Sequence, residues 1–231
     1  MADMVEFVLA SNNKKKVAEL QCLIDEKLGG KARVLSLRDI GFEGDIDEYG
    51  KSFEANSLIK ASAAAKLGYI GIADDSGLCV DVLGGEPGIY SARYSEDEGE
   101  TDDRDAANRA KILRNLDGVP AEKRSARFVC VASLVLPQNS PYKVPAKYIA
   151  CPAYSMEAGV DIMSAATVRG ECHGSILFEE RGCGGFGYDS IFYSEDTGCA
   201  FAEATPEAKN AVSHRGRAME QFARLIEELI G

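Results

Sequence analysis

No two of the seven cysteines stand in C-x-x-C spacing, and their number is odd (Cys22, Cys79, Cys130, Cys151, Cys172, Cys183, Cys199). That argues against a disulfide framework and for reduced thiols in a reducing compartment, several of them acting as small core residues. A zinc site built from Cys172, His173 and Cys183 lacks paired ligand spacing, so structural thiols are the better account. No apolar run approaches the length that spans a bilayer, and the opening stretch MADMVEFVLA has no basic n-region. The expectation is a cytoplasmic protein with no membrane partner. Positive charge is also in deficit: 26 Lys and Arg face 37 Asp and Glu, a net charge of -11. This disfavours a broad nucleic-acid surface. A polyphosphate ligand would have to be drawn locally, by clustered lysines, backbone amides and a divalent cation.

The 231 residues suit one large domain or two lobes, and 45% hydrophobic against 27% charged residues marks an ordinary globular chain with a sizeable core. Its organising stretch is GIADDSGLCVDVLGGEPGIYSARY, residues 71–94. Ile72 and Ala73 read as the end of a short buried strand that delivers Asp74 and Asp75 to its carboxyl edge. A second apolar run over 78–83 follows. Neighbouring residues of an extended strand point to opposite faces, so one aspartate can face a ligand while the other is tied down. Such a pair can hold Mg²⁺ or take a proton from water. The same letters also suit a polar turn between two strands.

Before this stretch, VEFVLA reads as a strand, SNN as a loop and residues 14–28 as a helix whose face is Val17, Leu20, Leu23, Ile24 and Leu28, stopped by Gly29 and Gly30. Free amides at a helix start bind phosphate, and Lys14, Lys15 and Lys16 in the first turn oppose the helix dipole unless an anion offsets them. A solvated charge run is the alternative. A strand over 32–37, an acidic loop over 41–50 with Asp45, Asp47 and Glu48, and an Ala-rich helix over 51–67 come next. The face of that helix is Phe53, Leu58, Ile59, Ala61, Ala65 and Leu67.

After the central stretch, Thr101 is the expected cap of a helix over 102–116, and residues 124–136 form a long β-branched strand fit for the middle of a sheet. Residues 137–165 hold four prolines and little periodicity, and read as an inserted hairpin or lid. Two short strands, 167–172 and 175–180, are expected to meet near His173-Gly174. In RGCGGFGYDSIFY the glycines allow close backbone approach, Phe186 or Tyr188 can stack on a base, and Asp189 can accept from its edge. A Gly-rich loop with aromatics plugged into the core fits the same residues. One amphipathic helix, capped by Thr205 with Pro206 at its first position, carries Lys209, Ser213, His214 and Arg215 in its first half. Lys209 and Arg215 can clamp phosphates, and His214 can contact a base or phosphate.

The ordered set SNNKKK, ADDSG, GGFGYD and SHRGRA resembles, along nearly the whole chain, the inosine triphosphate pyrophosphatase family of non-canonical purine nucleotide hydrolases. The resemblance implies an α/β fold, with a long mixed twisted sheet flanked by helices and two lobes around a substrate cleft within a single domain over 1–231. It implies hydrolysis of ITP, dITP or XTP to monophosphate and pyrophosphate, Mg²⁺ as cofactor, and a homodimer. By position it assigns Ser11, Asn12, Asn13 and Lys16 to the triphosphate, Asp75 to proton acceptance and metal, and Ser76 to substrate. Phe186, Gly187, Tyr188 and Asp189 match the base-binding segment, and Lys209, His214 and Arg215 the remaining contacts.

Asp47-Glu48 stands where bacterial members usually carry Glu-Glu, whose first residue is the expected magnesium ligand; Asp47 is one methylene shorter. Ala55 takes the place of an acid that more often precedes the asparagine of SFEAN. Discrimination is expected at GGFGYD, where a fixed donor would favour a 6-oxo purine and leave adenine mispaired. A Maf-like nucleotide pyrophosphatase and a non-catalytic nucleotide-binding protein are the alternatives. The SHR helix and GGFGYD fit the first less well, and the paired acids argue against the second.

Overall fold

The computed structural model describes residues 4–231. Residues 1–3, which open the stretch read for a leader, lie outside the described residues. Seven strands form one mixed sheet: β1 (Val5–Leu9), β2 (Ala32–Ser36), β3 (Ile70–Val80), β4 (Ser125–Val135), β5 (Ala165–Ile176), β6 (Phe192–Ser194) and β7 (Cys199–Ala200), in the order β2-β1-β3-β4-β5-β6-β7. The first strand runs parallel to β2 and β3, with Phe7 opposite Val34 and Ile70, whereas β5, β6 and β7 are antiparallel. Among the described residues six α-helices accompany the sheet: α1 (Lys14–Leu28), α2 (Phe53–Ala65), α3 (Arg104–Asn115), α4 (Pro152–Ala158), α5 (Pro206–Val212) and α6 (His214–Ile230). No helix of the described residues is long and apolar enough to cross a membrane.

The chain divides into two compact units. The first takes the residues up to Asp75 together with Val131–Val168 and Ala218–Gly231; the second takes Ser76–Cys130 and Arg169–Arg217. Each unit has its own core. In the first, Phe7, Leu9 and Ile72 pack with Leu20, Ile24 and Leu28 of α1 and with Phe222, Leu225, Ile226 and Leu229 of α6. In the second, Phe128, Phe192 and Phe201 gather with Leu78, Val80, Ile112 and Leu116. The rings of Phe128 and Phe192 meet edge-on at 4.7 Å, a favoured aromatic geometry. Cys79, Cys130 and Cys172 are buried, as small apolar side chains would be, and no described cysteine is in a disulfide.

Several expectations require correction. The first run and the start of the second are one strand, Ile70–Val80, followed by a 3₁₀ turn at Asp81–Leu83, so the aspartates stand inside β3 and not in a turn. Likewise β5 is continuous through His173-Gly174. A Cβ on Gly174 would collide with the carbonyl of Tyr193 on β6, so this glycine permits close strand approach and makes no turn. The Ala-rich helix runs only over Phe53–Ala65, and Leu67 is 52% exposed beyond it. Asp103, not Thr101, caps α3 by accepting from the Ala106 amide.

The C-terminal helix is two helices, because Ser213 is extended and its hydroxyl accepts from Gly216 N. Residues 137–165 contain α4 and two single 3₁₀ turns instead of a hairpin. Tyr142, Val144, Tyr148 and Ile149 join the first core, and Ala150 and Ala158 pack against α2, so the proline-rich course follows core packing.

Candidate active site

In the first unit, the loop after β1 enters α1 through Asn13, whose side chain accepts from the amides of Lys15 and Lys16. Ser11 Oγ accepts from Asn13 N at 3.1 Å, and Asn12 Oδ1 accepts from Arg38 N at 3.2 Å. This polar turn orients the first helical lysines. Lys16 Nζ spans both carboxylate oxygens of Asp74, at 3.0 and 2.9 Å.

The next residue along β3 turns the other way, as strand alternation requires. Asp75 Oδ1 accepts from Lys60 Nζ of α2 at 2.8 Å, while Asp75 Oδ2 is buried with no hydrogen-bond partner. Glu48 Oε2 stands 3.5 Å from the same ammonium. Helix α2 can lie this close because β3 carries Gly71 beneath it, where a Cβ would strike the carbonyl oxygen of Ala61. Burial pushes the Asp75 carboxyl above its ordinary value of 3.8, against the opposing pull of Lys60. Burial alone would lower the Lys60 ammonium, yet Asp75 and Glu48 outweigh it and hold the lysine above 10.5.

Thus two carboxylates already converge on one positive charge, and an oxygen of the deeper one is open. That donor set suits Mg²⁺, which takes one or two carboxylates and fills its remaining positions with water and phosphate oxygens. Among the described residues, no group of three or more His, Cys, Asp or Glu could hold a metal unaided. Asp47 and Ser76 are exposed, Asp47 in the acidic loop and Ser76 directly after Asp75 on β3.

The second unit holds the glycine-rich loop. Phe186 is 78% exposed, with the Lys209 ammonium 4.7 Å from its ring centroid. Asp189, 3% exposed, accepts from Lys209 Nζ and from Phe186 N, so it fixes both the lysine and the loop. Gly187 donates to Asp105 at 2.8 Å and accepts from Arg109 at 2.9 Å, two anchors supplied by α3.

Tyr188 departs from the base-platform expectation. It is 5% exposed, and its hydroxyl donates to the Ser91 carbonyl at 2.7 Å. Burial pushes that phenol well above 10. Phe186 is therefore the exposed aromatic of the loop and Tyr188 a core plug. Asp189 and Lys209 are also changed in standing, since each is engaged by the other. His214 stacks on Phe128, ring centroids 4.8 Å apart, and it and Arg215 are partly exposed at the start of α6.

Sequence reading missed Lys60, Asp105 and Arg109. A lysine in an Ala-rich helix and charges in a polar helix carry no local mark of a partner. Only the position of Lys60 one turn after Asn56, behind the acidic loop, hints at it.

Comparisons with known proteins bear on the family and the fold. The model of the Ham1 family matches residues 7–225. The dITP/XTP pyrophosphatase of Geobacter sulfurreducens is 42% identical over 217 residues, covering 94% of each chain. That of Geobacillus kaustophilus is 40% identical, covering 99% of this chain and 97% of its own. Among solved structures, a HAM1 protein from Coxiella burnetii superposes with a TM-score of 0.79 at 35% identity, covering 97% of this chain and all of its own. The nucleoside-triphosphatase, a dITP/XTP pyrophosphatase, from Mycobacterium abscessus gives 0.72 at 37% identity, covering 94% and 98%. A family model spanning nearly the whole chain, and relatives of this identity aligned end to end, mean that the chain belongs to the Ham1 family.

Proposed function

We propose that this protein hydrolyses non-canonical purine nucleoside triphosphates, dITP, ITP and XTP, to the monophosphate and pyrophosphate. The observation that carries the reading is Asp75: a carboxylate raised by burial, with one oxygen on Lys60 and the other buried and open. A buried carboxylate with an open oxygen suits proton abstraction from water. Membership of the Ham1 family supports the substrate class, since its relatives named above are dITP/XTP pyrophosphatases.

In the mechanism, Asp75 takes a proton from the water that attacks the α-phosphorus. The bond from that phosphorus to the β-phosphate bridging oxygen breaks, and pyrophosphate leaves. Lys16 and Lys60 stand on Asp74 and Asp75, so a triphosphate entering there gives both ammonium groups an anion to share. Amides in the Ser11-Asn12-Asn13 turn and at the start of α1 add donors for phosphate oxygens. Asp75 and Glu48, with Asp47 in the same acidic loop, would hold Mg²⁺, which when bound would neutralise phosphate charge and make the attacking water more acidic.

The base end is assigned to Phe186, which offers a bare ring for stacking, with Gly187, Asp189 and Lys209 keeping its loop in place. Ser76, His214 and Arg215 complete the substrate contacts in this reading. A donor aimed at the purine 6-oxygen admits hypoxanthine and xanthine and mispairs with the amino group of adenine. A cytoplasmic homodimer with one kind of small substrate and no nucleic acid completes the proposal.

The test is product analysis with ITP, dITP, XTP, GTP and ATP, with and without Mg²⁺. Pyrophosphate plus monophosphate from the 6-oxo, non-canonical substrates, dependent on Mg²⁺, is the expected result. Orthophosphate as product would contradict the reaction type, and binding without turnover would make the protein a nucleotide binder. Light scattering tests the dimer.

A further inference from the structure

Asn56 on α2 is fully buried, and neither its Nδ2 nor its Oδ1 has a hydrogen-bond partner. A buried carboxamide left so is costly, because both ends lose water and gain nothing. Leucine has the same branched skeleton with bulkier apolar ends, and it would bring no orphaned polar atoms to the place. The orphaned ends therefore ask for a group that joins them when the site is loaded.

Its surroundings say which group. Asn56 and Lys60 are four residues apart and share a face of α2, and helical side chains lean towards the N-terminus, so the Lys60 stem lies over the turn that holds Asn56. The ammonium of Lys60 bridges Asp75 and Glu48. Two residues beyond Glu48, the chain touches Asn56 itself: a Cβ on Gly50 would stand 2.6 Å from Asn56 Oδ1. The stretch 48–50 thus runs along the 56–60 face of α2, and it is on this face that Asp75 Oδ1 is bound. Asp75 Oδ2 is the other buried atom here without a partner. An amide acceptor and an open carboxylate oxygen match the water shell of a hard divalent cation, which carries donors outwards and demands oxygens inwards, and the amide donor matches a carboxylate oxygen beside it.

We propose that Asn56 is a positioning residue for the divalent cation: Oδ1 accepts from a water of the cation shell, and Nδ2 donates to a carboxylate oxygen of the acid site. The proposal rests on the assignment of Asp75 and Glu48 as the metal-holding pair.

The experiment titrates Mn²⁺ into the full chain without nucleotide and follows free Mn²⁺ by electron paramagnetic resonance, alongside melting in EDTA. Asn56→Leu is expected to fold, as its melting in EDTA shows, and to bind Mn²⁺ about 10–100-fold more weakly, the usual effect of losing an outer partner. Mn²⁺ affinity within twofold of wild type, or no Mn²⁺ binding by the wild type, would overturn the proposal. Should Asn56→Leu fail to fold, Asn56→Asp decides: it is expected to melt below wild type in EDTA and to gain more from Mn²⁺ than wild type does. An equal gain would overturn the proposal. Turnover of dITP by the wild type is scored separately. Mn²⁺ binding that depends on Asn56 without any hydrolysis would sink the functional reading alone, and hydrolysis with unaltered Mn²⁺ binding would sink this inference alone.

Discussion

The two units hold their lysines in different ways. In the first, Lys60 sits on an Asp75 that keeps an open oxygen and shares its charge with Glu48, and Lys16 covers Asp74. In the second, Lys209 is closed on Asp189 within a loop that Asp189 also ties through Phe186 N. The Lys60–Asp75 pair leaves binding capacity unused; the second unit's pair is scaffolding that holds up one exposed ring. An ion pair near a ligand site is thus of two kinds, and the unsatisfied atoms beside it tell them apart.

Breaking the scaffold should have the largest effect on stability. Lys209→Ala strands a buried carboxylate, which typically costs about 3 kcal/mol, and calorimetry should record a Tm lower by roughly 10 °C. A Tm within a degree of wild type would show that Lys209 is not structural. Phe186→Ala is the complementary cut. An exposed ring adds little to the fold, so Tm should hold, while loss of a stacking platform worth about 1–3 kcal/mol raises KM roughly 5- to 150-fold. An unchanged KM for dITP would remove Phe186 from the base site.

Lys60→Met sharpens the first unit's side of the comparison through pH. Burial lifts Asp75 and Lys60 opposes that lift, so without the lysine the carboxyl should rise further. The acid limb of the kcat/KM profile then moves to higher pH. The sign for stability follows: the folded protein binds this proton more tightly than the unfolded chain, so the contribution is full below 3.8 and lost as pH rises through the raised folded value. A profile that does not move, or moves to lower pH, would separate Lys60 from the base. Smallest is Tyr188→Phe, which removes one buried hydrogen bond to Ser91 and should cost about 1 kcal/mol by urea melts. KM should not change; a rise would return Tyr188 to the base site.

Much of this was legible in the chain. The helix α1 is written in its 3.6-residue spacing and its Asn13 and Gly29 ends, and β4 in its β-branched run. Alternation along an extended ADDSG foretold that Asp74 and Asp75 would face opposite ways, though not that each would meet a lysine. What misled was punctuation: Ser76-Gly77 and His173-Gly174 read as turns, yet both lie inside long strands, because neighbouring strands supply the ladder that local propensity cannot. Ser213 hid a helix break, since a serine resembles a helix interior until its hydroxyl caps the next helix. The partners Lys60, Asp105 and Arg109 were invisible for a different reason. A long-range pair leaves no periodic trace in either segment.

The account turns on Asp75 activating a water that attacks the α-phosphorus, and single-turnover hydrolysis of dITP in ¹⁸O-water, by wild type and by Asp75→Asn, tests it most directly. The expected result is label in the monophosphate and none in pyrophosphate, with the variant slower by about 10²–10⁴-fold while still binding dITP. Label in the pyrophosphate, or an Asp75→Asn variant that turns over at the wild-type rate, would contradict it.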